Sequence, residues 1–177
     1  TVEGYLSAKG EGRADILVAH AVLDLFSAKQ AAELAEQMLA PGGLLYASIT
    51  FDGESYFEPV EDEELDMRVR RAYHQSMARD GILGAGFGRK LLTELPRRGI
   101  GILEAGSSDW ILMPREGEYY PREGEFLKAI LSMVDSAVTG MLGKEERSRW
   151  LRRRLEQLEA RELIYIAHQL DILARKG

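Results

Sequence analysis

The sequence contains no cysteine and only three histidines among its 177 residues. The missing cysteines exclude disulfide bonds, thiol nucleophiles and zinc sites of the cysteine type. The histidines are His20, His74 and His168, and their spacing does not match the HExxH pattern of helical zinc sites. We therefore expect no metal site, including at the HQLD segment near the C-terminus.

Long apolar stretches and an excess of basic residues are also missing. The longest apolar runs have about the length of buried strands, so none is long enough to span a bilayer. The formal net charge of −6 disfavours nucleic acid and anionic membrane surfaces as partners. Because no signal or transit segment is recognisable, we expect a cytoplasmic protein. The chain begins at Thr1 without the features of a domain start, and we expect it to be a truncated part of a longer one.

The composition is that of an ordinary globular protein, with 45% hydrophobic and 29% charged residues. Its clearest local pattern is a strand, a helix and a second strand between residues 14 and 53. Residues 15–19 are apolar without alternation and predict a strand covered on both faces of a parallel sheet, and residues 44–50 predict the next strand. Ser27 and Gln30 form a capping-box pattern at the helix start, and Pro41-Gly42-Gly43 predicts its end. This pattern indicates one βαβ crossover.

The remaining chain predicts further helices and strands of the same α/β class. Apolar positions at helical spacing occur in the segments after residue 58, at 89–95, at 123–141 and at 144–160, and a strand is predicted at 100–105. Residues 163–173 fit a helix or a strand, and their isoleucine and tyrosine content favours a closing strand. We expect a single domain over residues 1–177, with a sheet core at 1–113, a helical insertion at 114–161 and the closing strand at 162–174.

Polar residues follow the two strands of the crossover, where ligands bind in open α/β sheets. His20 ends the first strand and could act as a general base or contact a cofactor, or simply close the sheet edge through a hydrogen bond. Asp24 could accept a hydrogen bond from His20 or cap a turn. Asp52 ends the second strand, where it could face a substrate or serve the Asp-Gly turn.

Other candidate residues lie further along the chain. The glycines of residues 81–88 follow a helix and predict a flexible loop instead of a dinucleotide fingerprint, and Arg89 behind them could hold an anionic group. His74 fits the surface or core of a helix as well as a catalytic role. Trp110 could line a pocket or cover the sheet end. The basic run at 150–154 is flanked by glutamates and predicts a solvent-exposed, salt-bridged face.

Several of these segments together resemble the second half of class I S-adenosylmethionine-dependent methyltransferases. The resemblance rests on DILVAHAVLDLFS, LAPGGLLYASITFDG and GIGILEAGSSDW in this order, and it covers most of residues 1–113. Within that superfamily the chain is similar to a bacterial group in which LLDL, TFDG, a mid-chain HQ and SDW recur. The glycine-rich first turn and the acidic residue that holds the ribose are missing from this sequence.

The resemblance implies a Rossmann-like, mostly parallel sheet with flanking helices, followed here by C-terminal helices. It implies an enzyme that uses S-adenosylmethionine to methylate a small-molecule acceptor, with His20 or His74 as the base. By the same resemblance, cofactor contacts come from Ala19, His20, Ala21, Val22 and Leu23, and the acceptor is surrounded by Phe51, Asp52, His74 and Trp110. Arg89 joins these as a candidate substrate contact.

Two other interpretations remain open on the residues alone. The chain could be a non-catalytic interaction subunit, because half a sheet exposes an edge and an apolar face that promote pairing, including as a homodimer. A nicotinamide-dependent oxidoreductase also uses a parallel sheet, but the sequence lacks its fingerprint, and fold alone does not decide chemistry.

Overall fold

The computed structural model describes residues 14–77 and 86–177, which form two compact units. The sheet unit contains the described parts of Thr1–Gly53, Asp80–Asp109 and His168–Gly177. The helical unit contains those of Glu54–Arg79 and Trp110–Ala167. The helices are α1 (Ala28–Met38), α2 (Glu63–Met77), α3 (Phe87–Arg97), α4 (Glu123–Ala137) and α5 (Lys144–Glu159). The strands are β1 (Ala14–His20), β2 (Leu39–Glu58), β3 (Ile100–Ser107), β4 (Trp110–Leu112) and β5 (Ile164–Lys176).

The strand order in the sheet unit is β1-β2-β5-β3. β1 and β2 are parallel and α1 connects them, as the crossover pattern predicts. β3 runs antiparallel to β5, and β4 of the helical unit also pairs antiparallel with β5. The predicted Rossmann-like α/β class with flanking helices is therefore confirmed, with its parallel pairing at the β1 end of the sheet.

The boundaries of several elements differ from the sequence-based expectations. α1 already ends at Met38, and β2 extends over Leu39–Glu58, beyond the predicted residues 44–50 on both sides. Gly43 allows this early strand start, because a Cβ there would lie 2.8 Å from the Ala14 carbonyl oxygen of the paired strand. The ambiguous segment at 163–173 is a strand, within β5. The expected single-domain boundaries stay a prediction.

One face of the sheet unit is covered by α1 and α3. The capping box is present: Gln30 N–H donates to Ser27 Oγ at 3.2 Å, and Ser27 N–H donates to Gln30 Oε1 at 3.1 Å. Small alanines of α1 and leucines of α3 form a buried cluster with the strands; its fully buried members include Ala32, Leu39, Leu45, Ala47, Leu91, Leu95 and Ile172. Burial of this apolar surface is the main stabilising term of the unit.

The opposite face of the same sheet is open. Ile16 and Val18 of β1 are 64% and 61% exposed, and Tyr46, which the parallel register places beside Val18, is 42% exposed. The strand predicted at residues 15–19 was expected to be covered on both faces. This expectation is wrong for β1. Because β1 also ends the strand order, its outer edge has no pairing strand among the described residues.

The interior of the helical unit contains polar side chains. Leu127, Leu131 and Val134 of α4 are buried, and so are Trp150, Arg154 and Gln157 of α5. The expectation that residues 150–154 form a solvent-exposed face is wrong at Arg154. That residue shares the inward face of α5 with Trp150 because the two are four positions apart. In the described ranges, no helix has the length and the apolar content needed to cross a membrane.

Candidate functional site

The carboxyl end of β1 and the middle of β2 bring His20 and Ser48 together. The parallel register pairs the two residues, and His20 Nδ1 lies 2.8 Å from Ser48 Oγ. Ser48 is buried, whereas the imidazole of His20 is exposed. Within the described chain, no residue forms a hydrogen bond with His20 Nε2. The serine therefore holds one ring nitrogen while the other is open to a ligand.

The backbone just beyond these two residues is strained. Ala21 has a φ of 50° and Ile49 a φ of 52°, a region that residues with a side chain rarely adopt and a β-branched residue avoids. Hydrogen bonds hold both positions: Ala21 N–H donates to the Ser48 carbonyl at 3.0 Å, and Ile49 N–H donates to Asp171 Oδ1 at 2.9 Å. Strain of this kind concentrates at ligand-binding and catalytic positions.

Asp171 of β5 joins separate segments of the sheet unit. Besides Ile49, it accepts a hydrogen bond from Ser108 Oγ at 2.7 Å. Asp109, which follows Ser108 in the sequence, accepts the backbone N–H of Gln169 at 3.2 Å and lies 2.8 Å from His168 Nδ1. The two carboxylates therefore fix the turn after β3 against β5. Asp171 also holds Ile49 of β2.

Asp52 is almost completely buried and organises the start of α3. Its Oδ1 accepts the Arg89 N–H at 2.9 Å, and its carbonyl oxygen accepts the Gly86 N–H at 2.6 Å. Its Oδ2 lies 2.6 Å from Nε of the exposed Arg89 side chain. Gly88 is close as well, since a Cβ there would lie 2.8 Å from Leu170 Cδ1 and 3.2 Å from Asp52 Oδ1. Asp52 thus caps a helix that is distant in sequence.

The remaining predicted contacts of the sheet unit differ in accessibility. Ala19 and Leu23 are buried in the apolar cluster, so their side chains belong to the core. Ala21 and Val22 are exposed and Phe51 is half-buried. Asp24 does not bond His20, whose partner is Ser48. Partial burial raises the pKa of the Asp24 carboxyl. The accessible residues after β1 are therefore His20, Ala21 and Val22.

The two other predicted site residues lie in the helical unit. His74 of α2 has its Nε2 3.8 Å from Glu54 Oε2. Trp110 of β4 is 40% exposed, and its ring centroid lies 6.1 Å from that of Phe126. Of the glycine loop predicted at 81–88, residues 81–85 lie outside the described residues, while Gly86 precedes α3 and Phe87 begins it.

Sequence reasoning did not find Ser48 and Asp171 as parts of this site. Ser48 lies beside His20 through the parallel register of β1 and β2, and the sequence does not reveal that register. Asp171 is visible only as a carboxylate inside the apolar run of a strand. His168 was considered for a metal and Asp109 only beside Trp110, so their pairing was also missed.

No family model and no curated protein matches this chain. It is similar to a candidate methyltransferase from Bacillus halodurans, at 13% identity and a TM-score of 0.49, over 94% of this chain and 66% of that one. It is also similar to a candidate sarcosine dimethylglycine methyltransferase from Galdieria sulphuraria, at 14% identity and a TM-score of 0.41, over 98% and 57% of the two chains. A third structure is the [4+2]-cyclase SpnF, at 17% identity, a TM-score of 0.39, and 96% and 52% coverage.

The chain is similar in fold to solved methyltransferases. This similarity agrees with the resemblance in its sequence. The chain spans between about half and two thirds of these three structures. One of these three structures is a cyclase. At such low identities and TM-scores, the similarities determine neither the reaction nor the ligand of this chain.

Proposed function

We propose that this chain supplies the strand-end part of the active site of an S-adenosylmethionine-dependent methyltransferase acting on a small-molecule acceptor. The observation that carries the proposal is the end of β1, where the exposed imidazole of His20 is held by the buried Ser48. The strained backbone at Ala21 and Ile49 lies directly beyond this pair. Polar groups at the carboxyl ends of parallel strands are where open α/β sheets bind ligands.

In this proposal the end of β1 and the residues just after it contact one side of the cofactor. His20, Ala21 and Val22 are exposed and can contact it, while Ala19 and Leu23 support this segment from the core. The cofactor would supply an electrophilic methyl group on a sulfonium. The contribution of the protein is to align the acceptor with that group and to accept a proton from an oxygen or nitrogen acceptor.

His20 is the base in this proposal. The hydrogen bond to Ser48 fixes the ring orientation and leaves Nε2 to accept the proton. Asp52 and Arg89 act through the position of α3, since the carboxylate caps that helix. His74, Phe51 and Trp110 stay proposed acceptor contacts.

The first test is calorimetric titration of S-adenosylhomocysteine into the natural full-length protein. We expect binding that Val22→Lys weakens at least about tenfold, because a charge would replace an apolar contact. Met113→Lys is the control, since Met113 of the helical unit has nearly the same exposure, 37% against 38% for Val22, and lies outside the cavities of the described residues. Absence of binding, or equal loss in both variants, would contradict the proposal.

The second test addresses proton transfer once an acceptor is found. His20→Ala should lower turnover about 100-fold, within the range of general-base catalysis. Ser48→Ala should lower turnover less and also change the NMR chemical shifts of the His20 imidazole, because it removes the orienting hydrogen bond. A loss of only a few-fold in His20→Ala would instead assign His20 to packing.

The open sheet face favours a second candidate function, an interaction subunit that pairs with another copy of this chain. Ile16, Val18 and Tyr46 form an exposed apolar surface beside an unpaired strand edge. Light scattering after size exclusion should then give a dimer mass that Val18→Lys converts to a monomer mass. Met133→Lys, which alters an exposed methionine of α4, should leave the dimer intact. A monomer mass for the unchanged protein would contradict pairing between copies.

A further inference from the structure

The helical unit contains a cavity of about 190 Å³ that none of the predicted site residues lines. Its walls come from the end of β2, from α2, and from one residue each of α4 and α5. The apolar part of the wall consists of Phe57, Met67, Val69, Tyr73, Val134 and Trp150. This volume is below that of pockets for drug-sized ligands, which begin at about 300 Å³. The cavity therefore suits a ligand with one ring or a short branched chain.

Tyr73 provides a polar group in this apolar wall. The residue is 7% exposed and lines the cavity. Its hydroxyl forms no hydrogen bond with any residue in the described part of the chain, and because the protein does not enclose it, it remains accessible to a partner from solution. Burial raises the pKa of Tyr73, so the hydroxyl stays protonated and can both donate and accept. A ligand in the cavity would supply the missing partner.

The charges around the cavity favour a cation. Glu58, Glu63 and Asp66 line it together with Arg70, whose guanidinium carbon lies 4.8 Å from the centroid of the Tyr56 ring. Asp66 is neutralised by Arg154, which donates to Oδ1 at 2.5 Å. Three carboxylates and two guanidiniums leave one net negative charge.

Glu63 is the carboxylate best placed to act on a ligand. It is exposed to solvent in the first turn of α2, like Glu64, but unlike Glu64 it lines the cavity, and it has no ion pair or hydrogen bond with the described residues. Glu58 already accepts the Val60 N–H at 2.8 Å. The ring centroids of Phe57 and Trp150 already lie 5.8 and 6.0 Å from the guanidinium carbon of Arg154, so these rings supply apolar contact to a ligand.

We propose that this cavity binds a small organic cation, an ammonium group carried on an apolar or aromatic body. The body packs against Phe57 and Trp150, and the ammonium group donates a hydrogen bond to the Tyr73 hydroxyl in the field of Glu63. The site lies within the helical unit, and its occupation does not depend on the proposed methyl transfer.

The test is an NMR titration with benzylamine that follows the indole N–H of Trp150. This group donates to Asp66 at 2.7 Å at the cavity wall. The protein has two tryptophans, so the indole signal that persists in Trp110→Phe is that of Trp150. Benzyl alcohol is the neutral probe of the same shape, and benzoate is the anionic one. We expect benzylamine to bind at least about fivefold more tightly than benzyl alcohol, and benzoate most weakly.

Two variants assign the effect to the named residues. Glu63→Gln should weaken benzylamine binding about threefold and leave benzyl alcohol unchanged, because only the charged probe feels the carboxylate. Tyr73→Phe should weaken it about fivefold through the lost hydrogen bond. Glu64→Gln is the matched control, since Glu64 is exposed in the same helical turn and does not line the cavity.

Four results would overturn the proposal. One is that none of the three probes moves the Trp150 signal at about 10 mM. Another is that benzyl alcohol or benzoate binds as tightly as benzylamine, which would mean that the local charge does not select the ligand. A third is that Glu64→Gln weakens binding as much as Glu63→Gln, which would assign the effect to net charge. The fourth is that Tyr73→Phe binds benzylamine as tightly as the unchanged protein.

Discussion

The two units of this chain place their polar groups differently. In the sheet unit two buried polar side chains hold exposed ones: Ser48 contacts His20 at the end of β1, and Asp52 contacts Arg89 at the start of α3. In the helical unit a guanidinium and an amide, Arg154 and Gln157, lie in the interior. The buried polar groups of the sheet unit thus hold side chains that border solvent and can reach a ligand, whereas those of the helical unit bond to other groups inside the same unit.

The buried guanidinium of Arg154 donates hydrogen bonds to three groups of the helical unit. Its guanidinium donates to Asp66 Oδ1 at 2.5 Å, to the Pro59 carbonyl at 2.8 Å and to Gln157 Oε1 at 2.8 Å. The guanidinium carbon also lies 6.0 Å from the centroid of the Trp150 ring. Burying a charge is unfavourable unless it is paired and fully hydrogen-bonded, and Arg154 meets that condition.

The largest expected effect is therefore on the helical unit. Arg154→Met should lower its free energy of unfolding by about 3 kcal/mol, because Asp66 loses its buried cationic partner and the Pro59 carbonyl loses one of its two donors. Circular dichroism during urea denaturation measures this change. Arg152→Met is the matched control on the exposed side of the same helix, and it should change stability by less than about 0.5 kcal/mol. Equal values would show that the interior network does not stabilise this unit.

A smaller effect is expected where the sheet unit is packed most closely. Gly88→Ala should destabilise it by about 2 kcal/mol, since the new methyl group would overlap Leu170 and approach Asp52. Hydrogen exchange of the α3 amides measures the effect locally. Gly101→Ala is the control, because the nearest atom to a Cβ there is 3.9 Å away. Wild-type protection of α3 in Gly88→Ala would show that the helix start can shift without cost.

The sequence predicts elements whose signals are local. The apolar run after Ala14 and the Ser27–Gln30 capping pattern need only neighbours along the chain, and both are present as predicted. The apolar face of α2 was also predicted correctly, with Leu65, Val69 and Tyr73 buried.

The contacts that the sequence did not predict depend on distant partners. Arg154 is buried because Asp66 and Pro59 meet it from 88 and 95 positions away. His20 and Ser48 are 28 positions apart and meet through the strand register. A run of arginines and a serine within a strand carry no sign of these meetings, because the partners are determined only when the elements pack.

The smallest effect concerns Asp24, a partly buried carboxylate four residues after His20. Burial raises its pKa, so folding disfavours its charged form. The cost is absent below the pKa of the unfolded state, near 3.9, and is complete above the raised folded pKa. Asp24→Asn removes this cost and should stabilise the protein by about 0.5 kcal/mol at pH 7.

The pH dependence separates this cause from a new contact of the asparagine. The stability difference between Asp24→Asn and the unchanged protein, from urea denaturation, should shrink as the pH falls from 7 towards 4. Asp15→Asn is the control at an exposed carboxylate of β1, and its difference should stay near zero over this range. A gain in Asp24→Asn that is equal at pH 7 and pH 4 would assign it to hydrogen bonding by the amide. Asp24 would then resemble the paired polar groups of the helical unit instead of the solvent-bordering groups at the strand ends.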